Sequence, residues 1–472
     1  MRDVFFFCFL LGVLFVALRR PYLFILTFCY VDIVAPQRLS FSLLNQVPLS
    51  LIMFVLAVGS WLVADRKQGM RVDHLQLVLL ALLIYCGVST VYAVVPEAGE
   101  KWAWVWKALL WSMFLPLALT TRLRIEALAL TMVLSAGTLA IAGGLKTATG
   151  GSGYGSLQLL LDDNSGLFEG SIFSTVAIAI IPLILWLARH GTIFKPDRLV
   201  WVFALALVFA CLLIPIGTQA RTGLVCALLL AALGLRDSKR RAAYLGGIAA
   251  LALVALPLVP AAFSARMDTI TNYQSDESAS TRLAVWKWTW DYALEHPLGG
   301  GFEIYRTNEL QVNKVETSRS GGTTTREVLP YTDRARAFHN SYFEMLGEQG
   351  FPGLLMWLYL QAACVWRMEK LRSRYRNATA ENDWVRPLAT ALQGGHLVYL
   401  LGCMFVGIAF QPFIYMLIAL QISLWTYLKR REQEARWRPI SHQLGDAVSG
   451  PGELAEKQGF AGKRGNGWAN SG

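Results

Sequence analysis

A short polar stretch ahead of an apolar helix carries the side chains best suited to chemistry in this chain. Arg334 and Arg336 precede His339 and Asn340, and residues 341–344 have the S-x-x-E form of a capping box. The stretch predicts that His339 lies just outside a helix N-terminus, where free backbone N–H groups attract phosphate and favour a neutral imidazole. A neutral histidine can accept a proton. The alternative is an interfacial histidine with a satisfied hydrogen bond.

Two further arginines stand where an anion could be held. Arg221 lies in the polar break QARTG between two apolar runs, and Arg282 lies at the start of a segment that ends in HPLGGG. An arginine in such a break is costly unless it is paired, faces water or snorkels to lipid phosphate. Guanidinium groups bind phosphate through two parallel hydrogen bonds and stay charged, so several of them could hold a lipid-linked diphosphate as a leaving group. No carboxylate cluster accompanies them in the predicted outer loops.

The remaining polar candidates lie in the loop Asp162-Asp163-Asn164. Asp162 and Asn164 either orient the arginines or form a turn. The sequence has no Asp-x-Asp pair for a divalent metal and no G-x-x-x-x-G-K-[ST] loop for a nucleotide. Its seven cysteines all lie in apolar runs, without disulfide or zinc spacing. We therefore expect a site that uses neither a metal nor a cofactor.

The elements that must position these residues are membrane helices. Of the 472 residues, 55% are hydrophobic and only 16% are charged, which is typical of a polytopic membrane protein. Apolar runs occur at residues 4–18, 22–35, 47–64, 74–95, 102–120, 125–145, 167–188, 199–216, 221–235, 242–263, 350–367, 388–409 and 412–428. The first two are short. We therefore expect an all-α polytopic membrane protein with about 12 transmembrane helices and one large periplasmic loop carrying amphipathic helices.

The distribution of basic residues predicts the topology. The net charge is +11, but most basic residues lie in alternate loops between the apolar runs, which indicates positive-inside topology and not nucleic-acid binding. This assignment puts residues 264–349 outside, in the periplasm. The expected organisation is N-terminal transmembrane helices 1–263, a periplasmic loop 264–349 with the catalytic segment, C-terminal transmembrane helices 350–428 and a disordered cytoplasmic tail 429–472.

The large loop contains one clear helical pattern. Apolar residues recur at helical spacing on one face of the segment before Pro297, which predicts an amphipathic helix resting at the membrane interface. The residues of this face are Leu283, Trp286, Trp290, Ala293 and Leu294. Residues 302–330 are rich in Thr, Ser and Gly and are predicted to form a mobile flap.

These features together resemble the O-antigen ligase family, which also contains O-antigen polymerases and protein O-oligosaccharyltransferases. The resemblance rests on the polytopic helices, the QARTG break, the R-x3-W…HPLGGG segment and FHNSYFEMLGEQGFPGL, and it covers about residues 160–428. The break reads TQAR where a serine-rich S-x-S-R is common. Upstream, the general character is similar to that of O-glycosylation ligases associated with exosortase systems.

The resemblance implies an inner-membrane enzyme that moves a glycan from undecaprenyl diphosphate to lipid A–core oligosaccharide at the periplasmic face, without metal. It implies that Arg221 and Arg282 bind the diphosphate and that His339 is the general base of an inverting displacement. Further substrate-binding candidates are Arg334, Arg336, Asn340, Asp162 and Asn164. A polymerase or a protein ligase would share this chemistry and differ in the acceptor. A transporter of lipid-linked sugars is the alternative from another class, although the chain shows no repeated halves.

Overall fold

The computed structural model describes residues 2–40, 44, 46–65, 67, 69–149, 166–237, 240–255, 277–320 and 323–436. The helices are α1 (Arg2–Arg19), α2 (Tyr22–Val34), α3 (Pro36–Leu39), α4 (Leu49–Ala64), α5 (His74–Val91), α6 (Ala98–Ala118), α7 (Arg122–Ala148), α8 (Gly170–His190), α9 (Arg198–Gly217), α10 (Arg221–Asp237), α11 (Arg241–Ala255), α12 (Glu277–Glu295), α13 (Ser341–Arg374), α14 (Val385–Gly402) and α15 (Pro412–Arg436). Two strands, β1 (Glu309–Ser320) and β2 (Thr323–Arg334), separate α12 from α13. The chain divides into two compact units, Met1–Thr426 and Tyr427–Gly472, and the candidate site lies in the first.

The helices follow the apolar runs of the sequence. Each predicted run overlaps one helix, although α5 and α14 end before their runs do, and residues 256–263 lie outside the described part of the chain. Within the described ranges, α5, α7, α8 and α9 are long and apolar enough to cross a membrane. The expected count of 12 spans stays a prediction, as do the domain boundaries. α15 continues to Arg436, and the expected tail beyond it lies outside the described residues.

A helix buried on nearly all sides lies at the centre of the first unit. α8 packs against α7, α9, α10 and α14, and Val176, Ile180 and Leu183 are at most 1% exposed. Its apolar residues occupy the whole circumference, which is typical of a helix buried inside a larger bundle. α14 in turn packs against α10 and α13. α8 and α14 thus form the scaffold shared by the helices that begin at Arg221 and at Ser341.

The all-α expectation is correct for most of the described chain but wrong for residues 309–334. β1 and β2 pair antiparallel, with Glu309 opposite Arg334 and Ser320 opposite Thr323. The physical reason lies in the composition, because Thr and Val favour strands. Two glycines separate the two strand-forming segments, a spacing typical of a tight hairpin. Most of the segment predicted to be a mobile flap, residues 302–330, thus lies in two paired strands, and its mobility stays a prediction.

The predicted loop helix is present as α12, which ends before Pro297. One edge of its apolar face packs inward: Trp286 stacks on Phe343 with ring centroids 5.3 Å apart, and Ala293 is fully buried. The other edge is open, since Leu283, Trp290 and Leu294 are exposed. α12 is therefore attached to α13 by one edge and presents the other to its surroundings, as expected of a helix at a membrane interface.

Candidate active site

Asn340, and not Ser341, caps α13. The side-chain oxygen of Asn340 accepts hydrogen bonds from the backbone N–H groups of Tyr342 at 2.9 Å and Phe343 at 3.3 Å. The predicted capping box, with Ser341 as cap, is thus wrong by one residue. The reason is that the Ser341 hydroxyl has other partners: it donates to the Val406 carbonyl and accepts from the Ile408 N–H, both at 2.8 Å.

The Asn340 amide is also used to hold the chain in place. Its nitrogen donates to the Met404 carbonyl at 3.0 Å, and the Ser341 N–H donates to the Cys403 carbonyl at 2.7 Å. The start of α13 is therefore tied to the loop that follows α14. Asn340 is only 5% exposed and both ends of its amide have partners within the protein, while its predicted role in substrate binding stays a prediction.

His339 has a left-handed backbone conformation, with φ of 47°. A non-glycine residue at positive φ is uncommon and costs on the order of 1–3 kcal/mol, so the neighbouring structure must impose it. On one side Phe338 is buried, and its carbonyl accepts the Trp286 indole N–H at 2.9 Å. On the other side Asn340 caps α13. His339 is thus an exposed residue held between two anchored neighbours.

The surroundings of His339 favour its neutral form. The pKa of His339 lies below its ordinary value of 6.5, first because neighbouring atoms displace water from around the ring, and then because the charges of Arg282 and Arg336 oppose protonation. The residue as a whole still keeps exposed surface. Two of the sequence-predicted arginines, one from α12 and one from the segment after β2, therefore act on the predicted base. We call Arg282, Arg336 and His339 the cationic rim.

Arg336 and Arg334 have different surroundings. The Arg336 side chain pairs with Asp333, and its backbone N–H donates to the Asn308 side chain at 3.0 Å. Arg334 pairs with Glu309 at 3.1 Å, across the end of the hairpin, and its side chain is 71% exposed. An exposed pair of this kind contributes little energy. Arg334 thus belongs to the hairpin surface, while Arg336 is placed to influence His339.

Arg221 is the first residue of α10, directly after a tight turn. In this turn Gln219 has a φ of 54°, and the Thr218 hydroxyl lies 2.8 Å from the Ser174 hydroxyl of α8. α9 and α10 are thus joined by a packed, hydrogen-bonded break, and the threonine of TQAR supplies a hydroxyl contact to α8. Asp162 and Asn164 lie outside the described residues.

α14 contacts both the helix that begins at Arg221 and the helix that follows His339. The Cys226 thiol of α10 donates to the Val398 carbonyl at 3.5 Å, and the Tyr342 hydroxyl of α13 donates to the Leu400 carbonyl at 3.1 Å. Both acceptors lie in the last turns of α14. The helix that begins at Arg221 and the helix that begins just after His339 are therefore fastened, close to their N-termini, to the same end of the same helix.

The HPLGGG segment docks onto a kink in α13. Gly300 and Gly301 donate their N–H groups to the carbonyls of Gly347 at 3.0 Å and Glu348 at 2.9 Å. Gly299 has a φ of 84°, and a Cβ on it would lie 2.6 Å from the Glu348 carbonyl oxygen. Only glycine permits this conformation and this approach. The glycines thus fix the C-terminal end of α12 against α13.

Comparison with known families divides the chain at about residue 200. Residues 206–358 match the family described as O-antigen ligase, and residues 1–192 match a family of unknown function. No curated protein matches the chain.

The O-antigen ligase match contains the Arg221 break, α12, the hairpin, the cationic rim and the start of α13. Residues 206–358 are therefore similar to the O-antigen ligase family. This match indicates a glycosyltransferase-like enzyme of the O-antigen ligase type, and the four apolar helices that are long enough to cross a membrane indicate a multi-pass membrane protein. Its relation to exosortase systems stays a prediction.

A buried ion cluster beneath the rim was missed from the sequence. The Lys101 ammonium of α6 donates to Glu344 at 2.6 Å and to both carboxylate oxygens of Glu348 at 2.8 and 2.9 Å. Glu344 is 6% exposed and Glu348 is fully buried. Backbone N–H groups of Ala409 and Glu303 donate to the same two carboxylates. The expectation of no carboxylate cluster beside the site is therefore wrong.

The buried ion cluster joins the two matched regions of the chain. Lys101 belongs to residues 1–192, whereas Glu344 and Glu348 lie in the O-antigen ligase match. A signal was present in the sequence, because two glutamates four residues apart on one face of an apolar helix require a buried partner. The sequence around Lys101 carries no such signal, because its partners are 243 and 247 positions away.

Proposed function

We propose that this protein is a metal-independent, inverting glycosyltransferase that moves O-antigen glycan from undecaprenyl diphosphate to the lipid A–core oligosaccharide. The observation that carries the proposal is the cationic rim: a histidine with a lowered pKa, beside two arginines, inside the matched O-antigen ligase segment. A neutral imidazole next to fixed cations suits a base that works beside an anionic leaving group.

In the proposed step, the neutral ring nitrogen of His339 takes the proton of the acceptor hydroxyl as its oxygen attacks the anomeric carbon. The new carbon–oxygen bond forms while the bond from the anomeric carbon to the diphosphate oxygen breaks, and its electron pair leaves with undecaprenyl diphosphate. Arg221, Arg282 and Arg336 stabilise that diphosphate charge. Attack from the face opposite the leaving group inverts the anomeric centre.

The side of the membrane is part of the same proposal. The charge distribution of the loops supports a periplasmic position for residues 264–349 in the bacterial inner membrane. A cysteine in place of Ser320, near the hairpin tip, is then expected to react with a membrane-impermeant thiol reagent from the periplasm. Labelling only after the inner membrane is broken would contradict this topology.

The test of the function is a transfer assay with purified full-length protein and undecaprenyl-diphosphate glycan. Lipid A–core oligosaccharide, a second lipid-linked glycan and a protein with Ser and Thr side chains are offered as acceptors in separate reactions. We expect product with lipid A–core, of inverted anomeric configuration and in the same yield with excess EDTA. Product only with the lipid-linked glycan would indicate a polymerase, and product only with protein would indicate a protein ligase. Loss of activity in EDTA, restored by a divalent metal, would contradict the mechanism.

A further inference from the structure

A polar cavity lies in the part of the chain that matches a family of unknown function. It has a volume of about 270 Å³ and is formed by residues from α1, α2, α4 and α7 and the segments that adjoin them. This is slightly below the usual range for pockets that enclose drug-sized ligands, so the cavity suits a compact chemical group. Its polar and aromatic lining includes Arg19, Arg20, Tyr22, Trp61, Asp65 and Arg124.

One wall of the cavity is fixed by a bidentate ion pair. The Arg124 guanidinium donates to the two carboxylate oxygens of Asp65 at 2.7 and 2.8 Å and to the Ala118 carbonyl at 2.8 Å. It lies 5.0 Å from the centre of the Tyr22 ring, whose hydroxyl donates to the Arg124 carbonyl. The pair is only partly exposed. The charge of Asp65 is therefore already compensated.

Arg19 and Arg20 add positive charge to this lining. Both are exposed, and among the described lining residues the only carboxylate is that of Asp65, which Arg124 binds. Positive-inside topology explains why arginines gather at this end of the helices. It does not explain why two of them line a cavity with an aromatic wall and a fixed ion pair. Arg189 and Arg198, which are also basic, exposed and predicted to lie on the cytoplasmic side, do not line it.

We propose that this cavity binds the phosphate group of an anionic ligand at the cytoplasmic side of the membrane. Arginine recognises phosphate oxygens through its planar fork, and basic pockets between membrane helices on this side accept anionic headgroups. The phosphate comes either from a phospholipid headgroup or from a small soluble phosphate ester, since the cavity chemistry is the same for both. The site is separate from the cationic rim and does not depend on the proposed transfer reaction.

The experiment measures ligand binding to purified full-length protein in detergent, by native mass spectrometry and by ligand-induced shifts in unfolding temperature. The probes are phosphatidylglycerol, diacylglycerol with the same acyl chains, and glycerol 3-phosphate. We expect phosphatidylglycerol or glycerol 3-phosphate to bind and diacylglycerol not to bind at the same site. Binding of phosphatidylglycerol alone identifies a lipid headgroup as the source, and equal binding of glycerol 3-phosphate identifies a soluble ester. Equal binding of phosphatidylglycerol and diacylglycerol would overturn the proposal.

Variants at the two exposed arginines decide whether the binding is at this cavity. An arginine beside an anionic group contributes about fivefold to affinity. Arg19→Gln/Arg20→Gln is therefore expected to weaken binding of the phosphate ligand roughly 30-fold, and Arg20→Gln alone about fivefold. The matched control, Arg189→Gln/Arg198→Gln, removes the same charge outside the cavity and is expected to bind normally. Wild-type affinity in the Arg19/Arg20 variant, or an equal loss of affinity in the control, would overturn the assignment of phosphate binding to this cavity.

Discussion

The cationic rim, whose His339 lies just before α13, and the buried ion cluster, whose glutamates lie on α13, are built in opposite ways. The rim has an exposed histidine with a positive φ, and its pKa is lowered first by the displacement of water from around the ring and then by the nearby arginines. The cluster, which begins one turn into α13, is buried, and its carboxylates are bound by Lys101 and by backbone N–H groups. An external anion can approach the rim, whereas the cluster has its partners inside the protein. We propose from this difference that the rim provides the chemistry and that the cluster holds the rim in position.

The largest effect is expected from breaking the buried ion cluster. In Lys101→Met, Glu344 and Glu348 remain buried without their cation, which for a buried ion pair typically costs about 3–5 kcal/mol. We expect a correspondingly lower free energy of unfolding, measured by chemical denaturation in detergent. Lys287→Met, which removes an exposed lysine of α12, serves as the control and is expected to be close to wild type. Equal stability of the two variants would contradict the supporting role of the cluster.

A compensating variant separates loss of charge balance from loss of side-chain packing. Lys101→Met/Glu344→Gln/Glu348→Gln removes the cation and both carboxylates together, and neutral replacement of a buried ion pair is often tolerated. We expect it to recover much of the stability lost in Lys101→Met. If it is as unstable as Lys101→Met, the Lys101 side chain contributes by its shape and not by its charge.

A smaller effect is expected from changing the shape of the arginines without changing their charge. Arg221→Lys and Arg282→Lys each keep the positive charge but lose the planar fork that binds two phosphate oxygens. We expect each variant to lower the transfer rate roughly 10- to 150-fold, because a hydrogen bond to a charged group contributes about 1.5–3 kcal/mol. Arg334→Lys, in the exposed pair with Glu309, is the matched control and is expected to be nearly as active as wild type. Wild-type activity in both site variants would indicate that these arginines only contact lipid headgroups.

The smallest effect concerns the pH dependence of transfer. Because the pKa of His339 is lowered, its neutral form persists below pH 6.5, and kcat/KM is expected to fall only as the pH drops through that lowered pKa. Arg336→Gln removes a cation that opposes protonation and leaves the Asp333 carboxylate, so the pKa rises. The fall in kcat/KM at acid pH is then expected to begin at higher pH in Arg336→Gln. In the control, Arg334→Gln, the pH of this fall is expected to stay unchanged. A fall that stays at the same pH or moves to lower pH in Arg336→Gln would contradict the influence of Arg336 on His339.

The sequence predicted the parts of this molecule that depend on composition and local order. Long apolar runs identified the helices, and the order of residues around His339 placed it at a helix N-terminus. The position of the cap was wrong by one residue because the partners of Ser341 lie 65 and 67 positions away, in a loop that cannot be located from a local pattern. The hairpin was missed although its threonines and paired glycines are a local signal.

Long-range pairing accounts for what could not be predicted. The buried ion cluster needs α6 and α13 to be adjacent, and nothing near Lys101 in the sequence indicates this. The role of the HPLGGG segment also could not be predicted from its local sequence, although the segment is part of the family resemblance. Its physical role became clear only from the contacts of Gly299, Gly300 and Gly301 with the kink in α13. The residues of the rim were predicted, and the structure that supports them was not.

The most direct test of the account is single-turnover transfer by His339→Gln, with donor affinity measured on the same protein. Glutamine keeps a polar group of similar reach but cannot take a proton at neutral pH, and general-base catalysis contributes typically ~10²–10⁴-fold. The account predicts a loss of that order with unchanged donor affinity, and an equal failure of His339→Lys. An active His339→Gln enzyme, or retained activity in His339→Lys together with weaker donor binding in His339→Ala, would contradict it and make His339 an anion ligand.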